Sequence, residues 1–218
     1  MTKLFKNNGL TIVLMLLFAG SLIGHWLTGL RFENQQLLEH GEQPIGAIAF
    51  LSDPQFLSTV FENWESEFLQ MSAYVVLTAF LFQRGSSESN DPDEAPREPG
   101  RLEHLGRGAP ARLRANPAAS WLYAHSLGLV LFALFLISFV LHWVHSAKAA
   151  AAEALDHGEQ PRGVMAYLGE PQLWFESFQN WQSEFLSTAV LVVLSIFLRQ
   201  KYSPESKPVT AANSQTGP

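Results

Sequence analysis

The 218-residue sequence contains no cysteine, which excludes disulfide bonds, thiolate metal ligands and cysteine nucleophiles. Charge is also scarce, because charged residues make up 16% of this chain, against about 25% of a typical soluble domain. Basic residues are outnumbered, and a net charge of −6 argues against a nucleic-acid-binding protein, which needs a basic face. The sequence has no glycine-rich phosphate loop, Ser-His-Asp arrangement or His-Glu-x-x-His helix, so nothing supports an enzyme and no cofactor is expected.

What the sequence does contain is apolar residues, at 47% of the chain, gathered in four blocks. This distribution is typical of a membrane protein, because a spanning helix needs about 20 predominantly apolar residues. The basic N-terminus and the apolar run after it have the form of a signal peptide, but a similar run returns deep in the chain. We therefore expect both runs, residues 10–30 and 127–144, to be retained transmembrane helices.

One segment occurs twice, as NWESEFL at residues 63–69 and as NWQSEFL at residues 180–186. The same offset of 117 residues aligns HGEQP at 40–44 with HGEQP at 157–161, and no gap is needed between residues 10 and 84. A repeat of this length predicts a tandem duplication. The two copies are called the N-terminal repeat and the C-terminal repeat below.

Each repeat predicts two helices. In the N-terminal repeat the first helix continues past the apolar run to His40, and the glycine that follows suits a left-handed helix end. After the connector, the second helix is predicted to begin with an acid followed by Pro54 and to extend to about Arg84. The C-terminal repeat has the equivalent residues 117 positions later, so its second helix is predicted to extend to about Lys201.

These features predict an all-α integral membrane protein with four transmembrane helices, arranged as two tandem helical hairpins. Lys and Arg are concentrated at the N-terminus, in the central linker and in the C-terminal tail, whereas the two connectors hold few. The positive-inside rule then places both termini and the linker in the cytoplasm and the connectors outside. Two helices per repeat give the repeats the same orientation, related by a pseudo-two-fold axis along the membrane normal.

The predicted organisation has four parts: a first repeat at residues 1–84, a disordered cytoplasmic linker at 85–119, a second repeat at 120–201 and a disordered tail at 202–218. The linker and the tail are polar and cannot build a core. Beside the lipid bilayer itself, the expected partners are anionic headgroups, each worth about 1 kcal/mol to a linker arginine. The arginines concerned are Arg107, Arg112 and Arg114.

The outer ends of the helices carry aromatic and apolar residues. Tryptophan prefers the headgroup level, so four tryptophans are predicted to be interfacial anchors: Trp26, Trp64, Trp143 and Trp181. The connectors are too apolar for free loops, and we expect their apolar residues to pack into a small outer cap. These residues are Ile45, Ile48, Phe50 and Leu51, with Val164, Met165, Tyr167 and Leu168.

Ionisable residues at membrane depth are costly and are therefore functional candidates. His25 follows Lys6 by about 28 Å of helix, and Glu67 precedes Arg84 by about 26 Å, so both are expected near the outer boundary of the hydrocarbon. The C-terminal repeat pairs its own histidine and glutamate in the same way. The candidate polar site consists of His25, Asn63 and Glu67, with their equivalents His142, Asn180 and Glu184.

Two classes of function fit this pattern. In the first, the paired His/Glu layer binds or passes a proton or a small cation, because a carboxylate can move the titration of histidine across neutral pH. In the second, the chain is a structural or interaction protein of the cell envelope without a ligand, and the polar residues are interfacial. A bis-His haem or metal site at His25 and His142 is a weaker alternative, and His40 fits a helix end better than a zinc site. We expect no metal.

With HGEQP upstream, the motif Asn-Trp-x-Ser-Glu-Phe-Leu resembles a family of bacterial inner-membrane proteins of about this length, a domain of unknown function. The resemblance covers both repeats and leaves out the linker and the tail. It implies a multi-pass protein of the bacterial cytoplasmic membrane with four helices, and it implies no activity.

Overall fold

The computed structural model describes residues 3–94 and 116–217, and the regular structure within these two ranges is entirely α-helical. The all-α prediction is therefore confirmed for the described residues. The helices are α1 (Lys3–Glu39), α2 (Ala47–Phe50), α3 (Pro54–Leu77), α4 (Pro117–Ala124), α5 (Ser126–Asp156), α6 (Val164–Tyr167) and α7 (Pro171–Phe197). The linker arginines Arg107, Arg112 and Arg114 lie outside the described residues.

The ends of the helices recur along the chain with the offset of the sequence repeat. The last residues of α1 and α5, the first and last residues of α2 and α6, and the first residues of α3 and α7 are each 117 residues apart. Each repeat therefore contributes a long helix, a four-residue connector helix and a second long helix.

Two of the described helices are long and apolar enough to cross a bilayer, namely residues Leu4–Glu39 within α1 and Ser126–Asp156 in α5. Both extend well beyond their apolar runs, as the helix-forming residues after each run predict. The second helices α3 and α7 contain polar outer turns, and by length and hydropathy they do not pass the same test.

The helix ends follow the predicted chemistry. Gly41 and Gly158 have φ angles of +76° and +72°, the left-handed conformation that lets a helix end without a Cβ clash. At the start of α3, the Asp53 carboxylate accepts hydrogen bonds from the backbone N–H groups of Gln55 at 2.9 Å and Phe56 at 3.3 Å. These local signals determine where α1 and α5 end and where α3 begins.

The C-terminal end of α3 differs from the prediction. The helix ends at Leu77, seven residues before the predicted Arg84, and α7 ends at Phe197, four before Lys201. Thr78 follows Leu77 directly, and its hydroxyl donates to the backbone carbonyl of Tyr74 at 2.8 Å. The same carbonyl also accepts the Thr78 backbone N–H at 3.0 Å, so the last helical bond is shared with a side chain, and β-branched threonine is a weak helix former.

By the density of their internal contacts, the residues form two compact units. Unit 1 consists of Met1–Val60 and His142–Met165, and unit 2 consists of Phe61–Leu141 and Ala166–Pro218. In unit 1 the hydroxyl groups of Ser58 and Ser146 are hydrogen bonded at 2.5 Å. In unit 2 the Ser72 hydroxyl donates to the Gly128 carbonyl of α5 at 3.3 Å. Each unit thus joins segments that are far apart in the sequence.

Within unit 2, the start of the linker and the tail after α7 contact each other. The Lys207 side chain is buried, and its ammonium donates to the carbonyl oxygens of Gly85, Ala212, Asn213 and Gln215. The disorder predicted for the linker and the tail as a whole stays a prediction, and these contacts concern the described residues of both segments. A buried ammonium surrounded by carbonyl oxygens can hold a polar segment together without an apolar core, because each bond is charge-assisted.

Replacing Lys207 tests whether this ammonium holds the tail in place. In Lys207→Met we expect backbone amides of residues 85–89 and 211–217 to exchange hydrogen at least about tenfold faster, since bonds to a charged group are worth roughly 1.5–3 kcal/mol. Hydrogen exchange followed by mass spectrometry measures this. The exposed Lys201, replaced in the same way, is the matched control. Equal exchange in the two variants would show that the ammonium does not organise the tail.

The C-terminal end of α5 carries a titratable contact outside the apolar run. His157 Nδ1 lies 2.8 Å from the Glu153 carbonyl oxygen, and this hydrogen bond raises the pKa of His157 above its usual value. A raised pKa in the folded state stabilises the helix end below the unfolded pKa of about 6.5, and this stabilisation is lost as the pH rises through the folded value. NMR titration should place the His157 midpoint above that of the same histidine in an unfolded peptide. A midpoint at or below the peptide value would contradict this.

Candidate functional site

In unit 2, polar side chains of α3 meet polar side chains of α7 along one line, which we call the polar seam. Its members from α3 are Glu62, Glu65, Glu67 and Gln70, and those from α7 are Asn180, Trp181, Glu184 and Thr188. These residues lie in the middle of α3 and of α7, in and beside the repeated motif of each helix.

In the part of the polar seam nearer the N-termini of α3 and α7, two glutamates of α3 pair with two donors of α7. The Asn180 amide donates to the Glu62 carboxylate, and the Trp181 indole N–H donates to Glu65 Oε1 at 2.9 Å. Glu65 is fully buried, with 0% of its surface exposed. A buried carboxylate needs hydrogen-bond donors to offset its lost hydration, and the indole is one of them.

In the part of the polar seam nearer the C-termini of α3 and α7, the side-chain amide of Gln70 connects the two helices. Gln70 of α3 donates to the Thr188 hydroxyl and to the Glu184 backbone carbonyl at 3.4 Å. Thr188 in turn donates to the same Glu184 carbonyl at 3.0 Å. Hydrogen bonds of uncharged groups therefore connect one turn of α7 to α3.

Between these two parts, two carboxylates at equivalent positions of the repeats act on each other electrostatically. Glu67 and Glu184 are 117 residues apart in the sequence, and the negative charge of Glu67 acts on the carboxyl group of Glu184. Glu184 is half-buried and Glu67 is exposed. Two carboxylates that repel each other are stabilised by a proton or a cation that they share, and this is the chemistry that the polar seam offers.

Aromatic residues of α5 and α7 support the indole in the polar seam. The ring of Phe135 in α5 lies edge-on to Trp181, with 6.2 Å between the ring centroids, and the ring of Phe178, three residues earlier in α7, lies edge-on at 5.1 Å. Edge-to-face pairs fix the orientation of a ring beyond the contribution of its buried area. The Trp181 N–H is thereby directed at Glu65.

The six predicted site residues divide between the two units. In unit 2 the charge of Glu67 acts on Glu184 and Asn180 donates a hydrogen bond to Glu62, whereas Asn63 is exposed. The predicted pairs of histidine with glutamate join residues that belong to different units, and these pairs remain predictions.

The two histidines of the candidate site lie in unit 1. His25 Nε2 is 3.2 Å from the Thr59 hydroxyl, and the His25 ring lies 5.2 Å from the ring of Phe56. His142 is fully buried. The histidine of the N-terminal repeat therefore binds the first turns of the second helix of its own repeat.

The tryptophans have contacts more specific than interfacial anchoring. The Trp26 indole donates to the Ala47 carbonyl at 3.0 Å, and the Trp143 indole donates to the Val164 carbonyl at 2.8 Å. Both acceptors are the first residues of connector helices, so the same bond occurs in both repeats. Trp64 packs edge-on against Phe61 at 5.6 Å.

Sequence reasoning missed Glu62 and Glu65 as members of the site. A signal was present, since the C-terminal repeat has Gln179 and Gln182 at the equivalent positions, so that only the N-terminal repeat carries an acid there. Each of these acids accepts a hydrogen bond from the repeated motif in α7, from Asn180 or from Trp181. The sequence of α3 alone does not indicate these donors.

The comparisons with known proteins agree with the resemblance seen in the sequence. A family model described as "Domain of unknown function (DUF6766)" matches residues 1–218. The chain belongs to the DUF6766 family. Searches of curated proteins and of solved structures found no match. DUF6766 membership supplies no activity, so the function has to be argued from the polar seam itself.

Removing the indole donor tests the buried pair in the polar seam. In Trp181→Phe the aromatic packing is largely kept, but Glu65 loses a donor while it stays buried, which costs about 1–3 kcal/mol. We expect a lower melting temperature for the full chain in detergent. Trp121→Phe is the control, because the Trp121 side chain is 53% exposed. Equal melting temperatures for Trp181→Phe and the control would contradict a stabilising indole–carboxylate bond.

Proposed function

We propose that the chain is a multi-pass protein of the bacterial cytoplasmic membrane with four spanning helices, α1, α3, α5 and α7. Its N-terminus, the linker at residues 85–119 and the C-terminal tail lie in the cytoplasm, and the connectors lie outside. The helix lengths support this, since the 24 residues of α3 and the 27 of α7 are about 36 and 40 Å long, against a hydrocarbon core of about 30 Å. The distribution of Lys and Arg supports the orientation.

In this arrangement the repeats are related by a pseudo-two-fold axis along the membrane normal. The offset of 117 residues between equivalent helix ends supports the duplication, and the electrostatic interaction between the equivalent residues Glu67 and Glu184 supports the axis. Equivalent residues interact most strongly where they lie near a two-fold axis. The bacterial assignment rests on the resemblance of the repeated motif.

The function that this geometry supports best is the binding or passage of a proton or a small cation at the polar seam. The observation that carries it is the electrostatic interaction of Glu67 with Glu184, which lie in the middle of two helices proposed to span the membrane. Carboxylates at such depth are costly and are retained where an ion pathway needs them. Glu62 and the buried Glu65 add two further acids to the same seam.

The competing function is a structural or interaction protein of the envelope without a ligand. The observation that favours it is the pair of indole bonds from Trp26 and Trp143, which hold connectors in place and need no ligand. Under this function the Glu67 and Glu184 carboxylates are interfacial, and removing either charge has no effect on proton or cation binding.

Infrared spectroscopy of the full chain in phospholipid vesicles distinguishes the two functions. If Glu67 and Glu184 share a proton, a protonated-carboxyl stretching band is present at neutral pH. The band should disappear in Glu67→Gln and in Glu184→Gln, because removing one charge ends the repulsion that the shared proton relieves. Glu42→Gln is the matched control, since the Glu42 side chain is exposed and belongs to unit 1.

Proton flux into dye-loaded vesicles, driven by a potassium diffusion potential, then separates passage from binding. We expect the flux to fall to the protein-free level in both seam variants and to stay unchanged in Glu42→Gln. If the seam variants keep both the infrared band and the flux of the native chain, the seam binds no proton and the interaction function is the correct one.

A further inference from the structure

The connector helices α2 and α6 expose apolar side chains that were expected to pack into a cap. In each helix one aromatic residue is buried, with Phe50 3% and Tyr167 4% exposed, as the predicted cap requires. The cap prediction is wrong for their neighbours, because Ile48 is 84% exposed and Met165 is 76% exposed. Ile48 and Met165 are equivalent positions of the two repeats, so the exposure is a repeated feature.

Two contacts fix the height of α2 along α1. The Trp26 indole donates to the carbonyl of Ala47, the first residue of α2. A side chain on Gly29 would lie 3.2 Å from the Phe50 ring, so this ring packs directly on the glycine. The helix α2 therefore lies beside the turn that runs from Trp26 to Gly29.

This turn is far from the outer tip of α1. The helix continues to Glu39, 13 residues or about 20 Å beyond Trp26, before the chain turns back. The C-terminal repeat does the same, because Trp143 binds the Val164 carbonyl and α5 continues 13 residues beyond Trp143 to Asp156. Each connector thus returns to the level at which the apolar run ends.

We propose that α2 and α6 insert their exposed apolar side chains, Ile48 and Met165, into the outward-facing leaflet at the boundary between headgroups and acyl chains. This inference rests on the membrane placement of α1 and α5 under the proposed function. The occupant of the exposed apolar surface is lipid, because the connectors lie beside the last apolar turn of α1 and of α5, where the lipid-facing surface of those helices ends.

The charge of the connectors suits this position. Residues 43–52 carry no charged side chain, and residues 160–169 carry only Arg162, whose guanidinium can bind a lipid phosphate. Short apolar segments flanked by tryptophan are typical of the membrane interface. A connector bound to a soluble partner would have no need to return to the end of the apolar run.

The absence of cysteine makes the depth of these residues measurable by spin labelling. Nitroxide labels are placed by Ile48→Cys and Met165→Cys in the full chain, in vesicles of equal parts phosphatidylethanolamine and phosphatidylglycerol. Both side chains are exposed, so the substitutions leave the packing intact. Collisions of each label with dissolved oxygen and with a water-soluble nickel chelate are then compared. Glu42→Cys and Glu159→Cys, beyond the outer tips of α1 and α5, are the matched aqueous controls.

We expect the ratio of oxygen to chelate collisions to be severalfold higher at residues 48 and 165 than at residues 42 and 159. Equal ratios at all four positions would overturn the proposal, because the connectors would then lie in water. Labels at 48 and 165 that are shielded from both reagents would also overturn it, since a second copy or another protein would cover them.

A label at Leu14→Cys, in the middle of the apolar run of α1, separates this inference from the proposed function. If Leu14 is exposed to oxygen while residues 48 and 165 are exposed to the chelate, only the connector inference fails. If Leu14 is exposed to the chelate as well, the membrane placement of α1 fails and the connector inference fails with it.

Discussion

The hydrogen bond from a tryptophan indole to the first carbonyl of a connector helix is the interaction on which the shape of each repeat depends. A four-residue helix has too few internal hydrogen bonds to be stable alone, so α2 and α6 need an external support. Trp26 and Trp143 provide it, at 3.0 and 2.8 Å, while the buried rings of Phe50 and Tyr167 provide apolar contact area. Because the connector is held beside the long helix, the chain leaves the connector well short of the tip of that helix, which in the proposed membrane placement is close to the membrane boundary.

Under the proposed membrane placement, that starting point determines which residues of the second helix lie at membrane depth. The helix ends at Leu77, so if α3 spans, its span of about 20 residues has to include the turns that carry Glu62, Glu65 and Glu67. Their carboxylates cannot face lipid without a large cost, and α7 supplies donors for two of them. The polar seam is therefore a consequence of where the connector places the helix, together with the sequence of the repeated motif.

Much of this fold could be predicted from the sequence, because the relevant signals are local. The left-handed glycines 41 and 158, the Asp53 cap and the extensions of the first helices each depend on a few neighbouring residues. The early end of α3 and the contacts of Lys207 could not be predicted in this way. Both depend on hydrogen bonds made by polar residues in weakly helical sequence, where composition alone predicts disorder. The bond between Glu65 and Trp181 was missed because it joins residues 116 positions apart, one from each repeat.

The two repeats keep some interactions in common and differ in others, and the difference has a physical reason. The indole bonds and the helix ends use backbone groups, which each repeat supplies for itself, so each copy can retain them independently. The seam bonds from Asn180 and Trp181 join a side chain of one repeat to a side chain of the other. In the proposed two-fold arrangement, a second copy of each acid would add like charges to the same small volume and raise the electrostatic cost. Glutamine at 179 and 182 avoids that cost while keeping the shape of the side chain. Among the acids of the polar seam, only Glu67 and Glu184 are acidic in both repeats, and their mutual repulsion is what a bound proton or cation would relieve.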